Sequence, residues 1–267
     1  MSGTPYRVVL TGAAGGIGQA LALALAPQSS AMLLVGRDSE KLASLRQRLL
    51  VAHVGLSVAV VAADLSGEEG RQAVLEAADK LPGGVNLLVN NAGVSDFHAF
   101  QTQTAAVIAS TLGTNLLSPV LLCQKILPLL LAQPAAQIVN VGSVFGDIGY
   151  PGFAVYCASK SGLKGFTQAL RRELSDTAVR VRYFAPRATR TGLNSQAVDA
   201  MNAELKTRSD DPAVVARAFM EFLSGSRSEQ VIGWPEKLFV LINRLRSSIT
   251  DDAIGKQLAV IKRHMPH

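Results

Sequence analysis

Tyr156 and Lys160 stand four residues apart in Val155-Tyr156-Cys157-Ala158-Ser159-Lys160, and Ser143 lies thirteen positions before the tyrosine. On a helix, positions i and i+4 share a face, which sets the lysine ammonium near the phenol oxygen. A free tyrosine titrates near ~10 and is a poor proton carrier at neutral pH. A cation beside it in a partly dry site favours the phenolate, and each unit of depression takes about 1.4 kcal/mol. The pattern predicts a tyrosine of lowered pKa acting as a general acid, with a serine hydroxyl near the reacting oxygen. A Tyr–Lys pair on a helix surface with no chemistry is the competing reading, and YxxxK alone does not separate the two.

The preceding chain does separate them. Tyr6-Arg7-Val8-Val9-Leu10 reads as a short buried strand running into Thr11-Gly12-Ala13-Ala14-Gly15-Gly16-Ile17-Gly18, with an apolar helix from Gln19 to about Ala26. Strand, glycine-rich turn and helix are the context in which such a turn holds a dinucleotide. Gly12 permits the tight turn, Gly16 the approach of backbone amides to a pyrophosphate, and Gly18 close helix–strand packing. Gly15 and Ile17 complete the run, and the helix N-terminus offers free N–H groups and a positive dipole end. A second strand, Ala31–Val35, ends at Gly36-Arg37-Asp38. Where NAD sites of this kind place a carboxylate for the ribose 2′-hydroxyl, Gly36 and Arg37 stand instead. A guanidinium there pairs with a 2′-phosphate in a bidentate fashion, which favours NADP(H) over NAD(H). Asp38 follows at once, so a shift of one residue restores an acid, and the glycine turn carries no second basic residue.

With Asn90-Asn91-Ala92-Gly93 and Asn115 added, the order and spacing of these motifs resemble the short-chain dehydrogenase/reductase family over roughly residues 6–193. The resemblance implies a doubly wound, mostly parallel α/β sheet flanked by helices (a Rossmann fold). It also implies an NAD(P)-dependent oxidoreductase whose active site is Asn115, Ser143, Tyr156 and Lys160. In that family the lysine also binds the nicotinamide ribose, and the asparagine holds a water of the proton relay. Further cofactor contacts are implied for Asp64 and Leu65, for Asn91, Ala92 and Gly93, and for Pro186, Thr189 and Thr191. The family usually reads Pro-Gly-x-x-x-Thr after its sixth strand, whereas this chain has Pro186-Arg187-Ala188-Thr189-Arg190-Thr191. Arg187 and Arg190 either are solvated or meet an anionic substrate or a cofactor phosphate. The activity expected is NADPH-dependent reduction of a hydrophobic ketone or aldehyde. Oxidation of a secondary alcohol and reduction of a 3-oxoacyl thioester are the alternatives within enzymes. A cofactor-sensing protein without catalysis is the alternative of another class, against which the four intact active-site residues argue.

Composition fits this reading. The 267 residues, 48% of them hydrophobic, suffice for one large core, and no repeat or low-complexity tract divides the chain. Residues 1–233 are expected to form the nucleotide-binding and catalytic domain, and 234–267 a helical extension of it. Further strands are expected at Leu56–Ala62, Val85–Val89, Gln137–Val141 and Val179–Phe184, each with site residues at its carboxyl end. The N-terminus has no charged segment followed by a long apolar one, so a cytoplasmic protein is expected. Leu116–Ala132 is apolar but, interrupted by Pro119, Lys125 and Pro128, reads as too short and broken to span a membrane. Cys123 and Cys157 have neither ligand nor disulfide spacing, and no metal site is expected. The net charge of +6 suits a protein that binds a polyanionic cofactor, and no basic-aromatic stripe points to nucleic acid.

The C-terminus departs from the family. Where many relatives end in a strand and a Val-Asp-Gly-Gly-like turn, this chain has Gln230-Val231-Ile232-Gly233-Trp234-Pro235-Glu236. Pro235 is placed to open a helix with an apolar face of Leu238, Leu241, Ile242 and Leu245, and a basic Lys262-Arg263-His264 follows. That helix closes the substrate pocket or rests on an anionic membrane, or else packs on its own domain or a partner. The segments near Thr102–Leu131 and Tyr156–Ser175 resemble the family's dimerising helices, so a homodimer is expected, with a tetramer as the alternative.

Overall fold

Strand interiors in this chain are apolar at consecutive positions, as in Val8-Val9-Leu10 and Leu87-Leu88-Val89, and all six of these residues are fully buried. Such runs belong to strands covered on both faces. The structure, a computed structural model that describes residues 4–266, forms one seven-stranded sheet from them. Its strands are β1 (Tyr6–Thr11), β2 (Ser29–Gly36), β3 (Ser57–Ala62), β4 (Leu87–Asn90), β5 (Ala136–Val141), β6 (Val179–Ala185) and β7 (Glu229–Val231). The order is β3-β2-β1-β4-β5-β6-β7, every pair parallel. The chain reverses its direction of winding between β1 and β4, and the crevice beyond those carboxyl ends is where such sheets hold ligands.

Helices α1 (Gly16–Leu25) and α2 (Ser39–Ala52) cover one face. The other is covered by α3 (Glu68–Asp79), by a long helical run and by α6 (Ala154–Glu173). α1 starts at Gly16, three residues before the expected Gln19, so its first turn is made by the glycine motif itself. The long run comprises α4 (Ala105–Leu112), a π turn (Gly113–Leu117) and α5 (Ser118–Leu131). Its 27 residues from Ala105 to Leu131 are long and apolar enough to cross a membrane, contrary to the expectation of a short, broken stretch. Pro119 does not break it, because Pro119 lies in the first turn after the π turn, where a missing N–H is tolerated.

After β6 come α7 (Gln196–Glu204) and α8 (Pro212–Ser224), which joins α1 and α2 on their face. The C-terminal extension is α9 (Glu236–Leu245), α10 (Ser247–Gly255) and α11 (Leu258–His264). The domain bounds taken from the sequence include residues 1–3 and 267, which lie outside the described residues. α9 starts after Pro235 as expected, but its predicted apolar face points outward. Leu238, Leu241 and Leu245 are exposed, Leu245 by 79%, whereas Val240 is buried against Val144 and Ile148. Amphipathic spacing marked the face and not the side it packs on. The basic tail is partly engaged, since Arg263 and His264 both reach Glu204 of α7 at 2.7 Å.

Candidate active site

One cavity of about 860 Å³ runs along the carboxyl edge of the sheet. Its nucleotide end is built from glycines that side chains would obstruct. Gly12 has φ +64°, and a Cβ there would lie 2.8 Å from Ala92 Cα. On Gly18 a Cβ would strike the Gly12 carbonyl, and on Gly16 it would lie 2.8 Å from Thr191 Cγ2. The Gly12 turn and the Gly18 packing are of the kind the motif predicted, whereas the neighbour of Gly16 is Thr191. Thr11 Oγ1 accepts from the N–H groups of Asn91 and Ala92, each at 3.0 Å, while Asn91 Nδ2 donates to the Thr11 carbonyl at 3.0 Å. The ends of β1 and β4 are thereby tied. Gly15 caps α1 with no side chain, and the first turn contains no acid. Its amides, next to Gly15, Gly16 and Ile17 on the cavity wall, fit an anionic pyrophosphate.

Arg37 lines the next stretch of the cavity and is exposed. Asp38 lines the same cavity, and its carboxylate also caps α2, accepting from Lys41 N at 3.0 Å and pairing with Lys41 Nζ at 2.8 Å. Those two contacts hold its pKa below the usual carboxylate range. Lys41 itself lines the cavity, a second basic residue that the glycine turn could not reveal because it comes from α2. Asp64 accepts from Ser66 N at 2.9 Å, and hydrogen bonding by Ser66 lowers its pKa. Asp64, Leu65, Asn91, Ala92 and Gly93 all face this cavity. The described residues therefore fit an adenine dinucleotide: amides for the diphosphate, two cations near its ribose, and glycines where a Cβ would intrude.

Ser143, Tyr156 and Lys160 meet at the middle of the same cavity. Ser143 lies two residues beyond β5 and caps the short turn Val144–Gly146, its Oγ accepting from Phe145 N at 3.1 Å. Lys160 is 4% exposed; its Nζ donates to the Val141 carbonyl at 3.1 Å and lies 5.8 Å from the Tyr156 ring centroid. Asn115 is fully buried and does not line the cavity. It accepts from Val94 N at 2.8 Å and donates to Val94 O at 2.9 Å and to Ser159 Oγ at 3.1 Å. Its side chain is thus occupied by residues far away in sequence. Pro119 has no N–H, so the Asn115 carbonyl lacks its α-helical donor, and the π turn puts that irregularity at the site. Asn115 Oδ1 and Lys160 Nζ converge on Gly93, at 3.2 and 3.5 Å from where its Cβ would be.

The expected depression of the tyrosine does not occur. Burial pushes the Tyr156 phenol up to about 12, and the neighbouring Ser143 hydroxyl works in the opposite direction without offsetting it. Lys160 is brought down to about 8 by burial. Loss of solvent destabilises the charged form of each group, the phenolate and the ammonium alike. Tyr156 is consequently a protonated donor at neutral pH.

Pro186, Thr189 and Thr191 line the cavity beyond β6. Arg187 is neither solvated nor free for an anion. Its guanidinium grips Asp210 through two bonds of 2.7 and 2.9 Å and reaches Glu236 of α9 at 3.2 Å. Arg190 is exposed and only loosely paired with Asp211, at 3.9 Å. Past Tyr156 the wall becomes aromatic. Phe145 stacks on Tyr150 with centroids 5.0 Å apart, and both pack near Phe153, which meets Tyr156 edge-on. Phe239 of α9 also lines the cavity, and Ile254 of α10 packs in one cluster with these aromatics, so the extension forms part of this cavity. Sequence reasoning missed the aromatic wall. Its signal was present, because four aromatic residues fall between 145 and 156 in a chain that is 5% aromatic.

These features define a class of nicotinamide-dependent oxidoreductase. A family model described as short chain dehydrogenase matches residues 6–202, and the chain belongs to that family. It is 35% identical over 220 residues to carbonyl reductase family member 4 of Danio rerio, covering 80% of this chain and 90% of that one. Its structure resembles a short chain dehydrogenase/reductase of Burkholderia phymatum in complex with NAD, with a TM-score of 0.83 and 25% identity. It also resembles a short-chain dehydrogenase of Sphingobium yanoikuyae in complex with NADPH, with a TM-score of 0.78 and 25% identity. Each alignment covers 92% of this chain and 96% of the other.

Proposed function

We propose that this enzyme reduces a hydrophobic ketone or aldehyde to an alcohol with NADPH, with Tyr156 as the general acid. The observation that carries the reading is the position of the protonated Tyr156 phenol, where the nucleotide half of the cavity meets its aromatic half. The bound nicotinamide supplies the hydride. Ser143 and Tyr156 then orient the substrate oxygen, and Tyr156 gives its proton to the oxygen as negative charge develops there, a step typically worth ~10²–10⁴ in rate. Lys160 would hold the ribose edge of a bound cofactor beside the phenol, and Asn115 braces α6 through Ser159, whose Oγ also donates to the Tyr156 carbonyl at 2.7 Å.

NADPH is favoured in this reading because Arg37 and Lys41 line the end of the cavity beyond the glycine turn, while Asp38 caps α2. The relative that carries the name carbonyl reductase is consistent with a carbonyl substrate. We place the enzyme in the cytoplasm as a homodimer. The test is the loss of NADPH absorbance against a panel of aryl and long-chain carbonyls. Tyr156→Phe should lower kcat by at least ~10³ while NADPH still binds; undiminished turnover would remove the acid role. Arg37→Ala should raise the KM for NADPH about tenfold and leave NADH unchanged, as loss of one charge-assisted phosphate contact requires.

A further inference from the structure

The C-terminal extension touches the active site at a point that the family motif does not include. Asp147 ends the short turn that Ser143 begins: Gly146 N donates to the Ser143 carbonyl and Asp147 N to the Val144 carbonyl, both at 2.9 Å. Its side chain is 3% exposed. Two residues of α9 reach it. Asn243 Nδ2 donates to the Asp147 carbonyl at 2.8 Å, and Arg244 donates to Oδ1 from Nε at 3.0 Å and Nη2 at 2.7 Å. From beneath, the Lys164 ammonium of α6 pairs with the same Oδ1, while Oδ2 is buried without a partner. Lys164 lies over the Tyr183 ring, whose hydroxyl is 3.4 Å from both the Ser143 N and the Ser143 carbonyl. Val240, between the two ends of α9, packs on Val144 and Ile148. The Ser143 turn is therefore held between Tyr183 below and α9 above.

We infer that Asp147 is a positioning residue for the Ser143 hydroxyl, and that Arg244 and Asn243 make this role depend on the C-terminal extension. The same helix presents Phe239 to the substrate half of the cavity. Movement of α9 would change the substrate wall and the serine together. This deepens the proposed carbonyl reduction and rests on that reading for its kinetic arm alone.

Charge balance selects the variant. Asp147 and Lys164, both buried, form a group of two acids and two bases with the partly exposed Glu229 and Arg171, and Arg244, half exposed, adds a third base at its rim. Asp147→Asn would strand Lys164, whereas Arg244→Met removes the contact of α9 with the Asp147 carboxylate and leaves the inner pairs and the Asn243 bond intact. It should fold, as unchanged NADPH affinity and circular dichroism would show.

Hydrogen exchange, which requires no substrate, reads the first arm. In Arg244→Met the amides of Gly146, Asp147 and Ile148 should exchange about tenfold faster than in the wild-type enzyme, as weakening of a local opening barrier predicts. The second arm is steady-state reduction of a carbonyl accepted by the wild-type enzyme. There kcat should fall about tenfold with the cofactor KM unmoved, and Arg244→Lys should restore part of it. Unchanged exchange in the turn, or wild-type kcat in Arg244→Met, overturns the inference. If the wild-type protein reduces none of the carbonyls, the proposed reaction fails while the exchange arm still decides the positioning role.

Discussion

Lys160 shows at the level of one residue how this site exchanges stability for function. Its ammonium is buried, with one hydrogen bond from Nζ to a protein carbonyl, and burial lowers its pKa from 10.5 to about 8. Below pH 8 both the folded and unfolded states carry the proton, and the folded state bears the full cost of burying the charge. Between about 8 and 10.5 the unfolded chain binds more protons than the folded one, so folding stability rises with pH across that window. Lys160→Met removes the liability. The variant should be more stable than the wild-type enzyme at pH 7 by up to ~3 kcal/mol, the worth of that pKa gap, and the advantage should shrink as pH climbs toward 10.5. Urea unfolding of the two proteins at pH 7 and pH 10 measures it; an advantage independent of pH would mean that the lysine is not desolvated. Catalysis should be lost at both pH values, because the group that burial makes costly also holds the phenol in place.

Among the elements, the β1–α1 unit has the least tolerance. Gly18→Ala places a methyl against the Gly12 carbonyl, and neither backbone can withdraw without opening the turn that faces the diphosphate. Overpacking of this kind costs ~1–3 kcal/mol. The variant should lose that much stability and bind NADPH at least tenfold more weakly by fluorescence titration, the two losses arising from one displacement. This unit was also the most legible in the sequence, because a buried strand and an essential glycine each leave a residue-level mark. The long helical run was misread where two prolines looked like breaks, since sequence does not show that a π turn precedes Pro119. The side on which α9 packs was left open for a related reason: spacing reports that Leu238, Leu241 and Leu245 share a side, while contacts such as Asn243 to Asp147 decide which side packs. Arg187 was unreadable alone, for its partners Asp210 and Glu236 lie 23 and 49 residues away. The tyrosine was misjudged because a motif names the neighbouring cation and leaves out the solvent both groups lose.

On the scale of the whole molecule, the apolar surface left on the Ala105–Leu131 run bears on assembly. Leu117 and Leu131 are exposed on it, and Leu121, one turn beyond Leu117, is partly so. α4 packs beside α6, where Ala154, Ala158, Ser161, Gly165 and Ala169 form an exposed row of small residues at helical spacing. A leucine ridge next to a flat, small-residue face can meet its own copy about a two-fold axis, each ridge lying on the other's row. Gly165 tests this cleanly, because a Cβ there would meet nothing within 4 Å in the single chain. Gly165→Arg should therefore fold with near-native stability or gain up to ~1 kcal/mol, because arginine favours a helix interior more than glycine does. In light scattering the wild-type protein should have twice the monomer mass and the variant the monomer mass. A variant that remains dimeric would move the interface elsewhere, and the exposed Leu238-Leu241-Leu245 face of α9 is the next surface to challenge, with Leu241→Glu. The distinction matters for the active site: pairing through α6 would brace the helix that carries Tyr156 and Lys160, whereas pairing through α9 would brace the wall that carries Phe239.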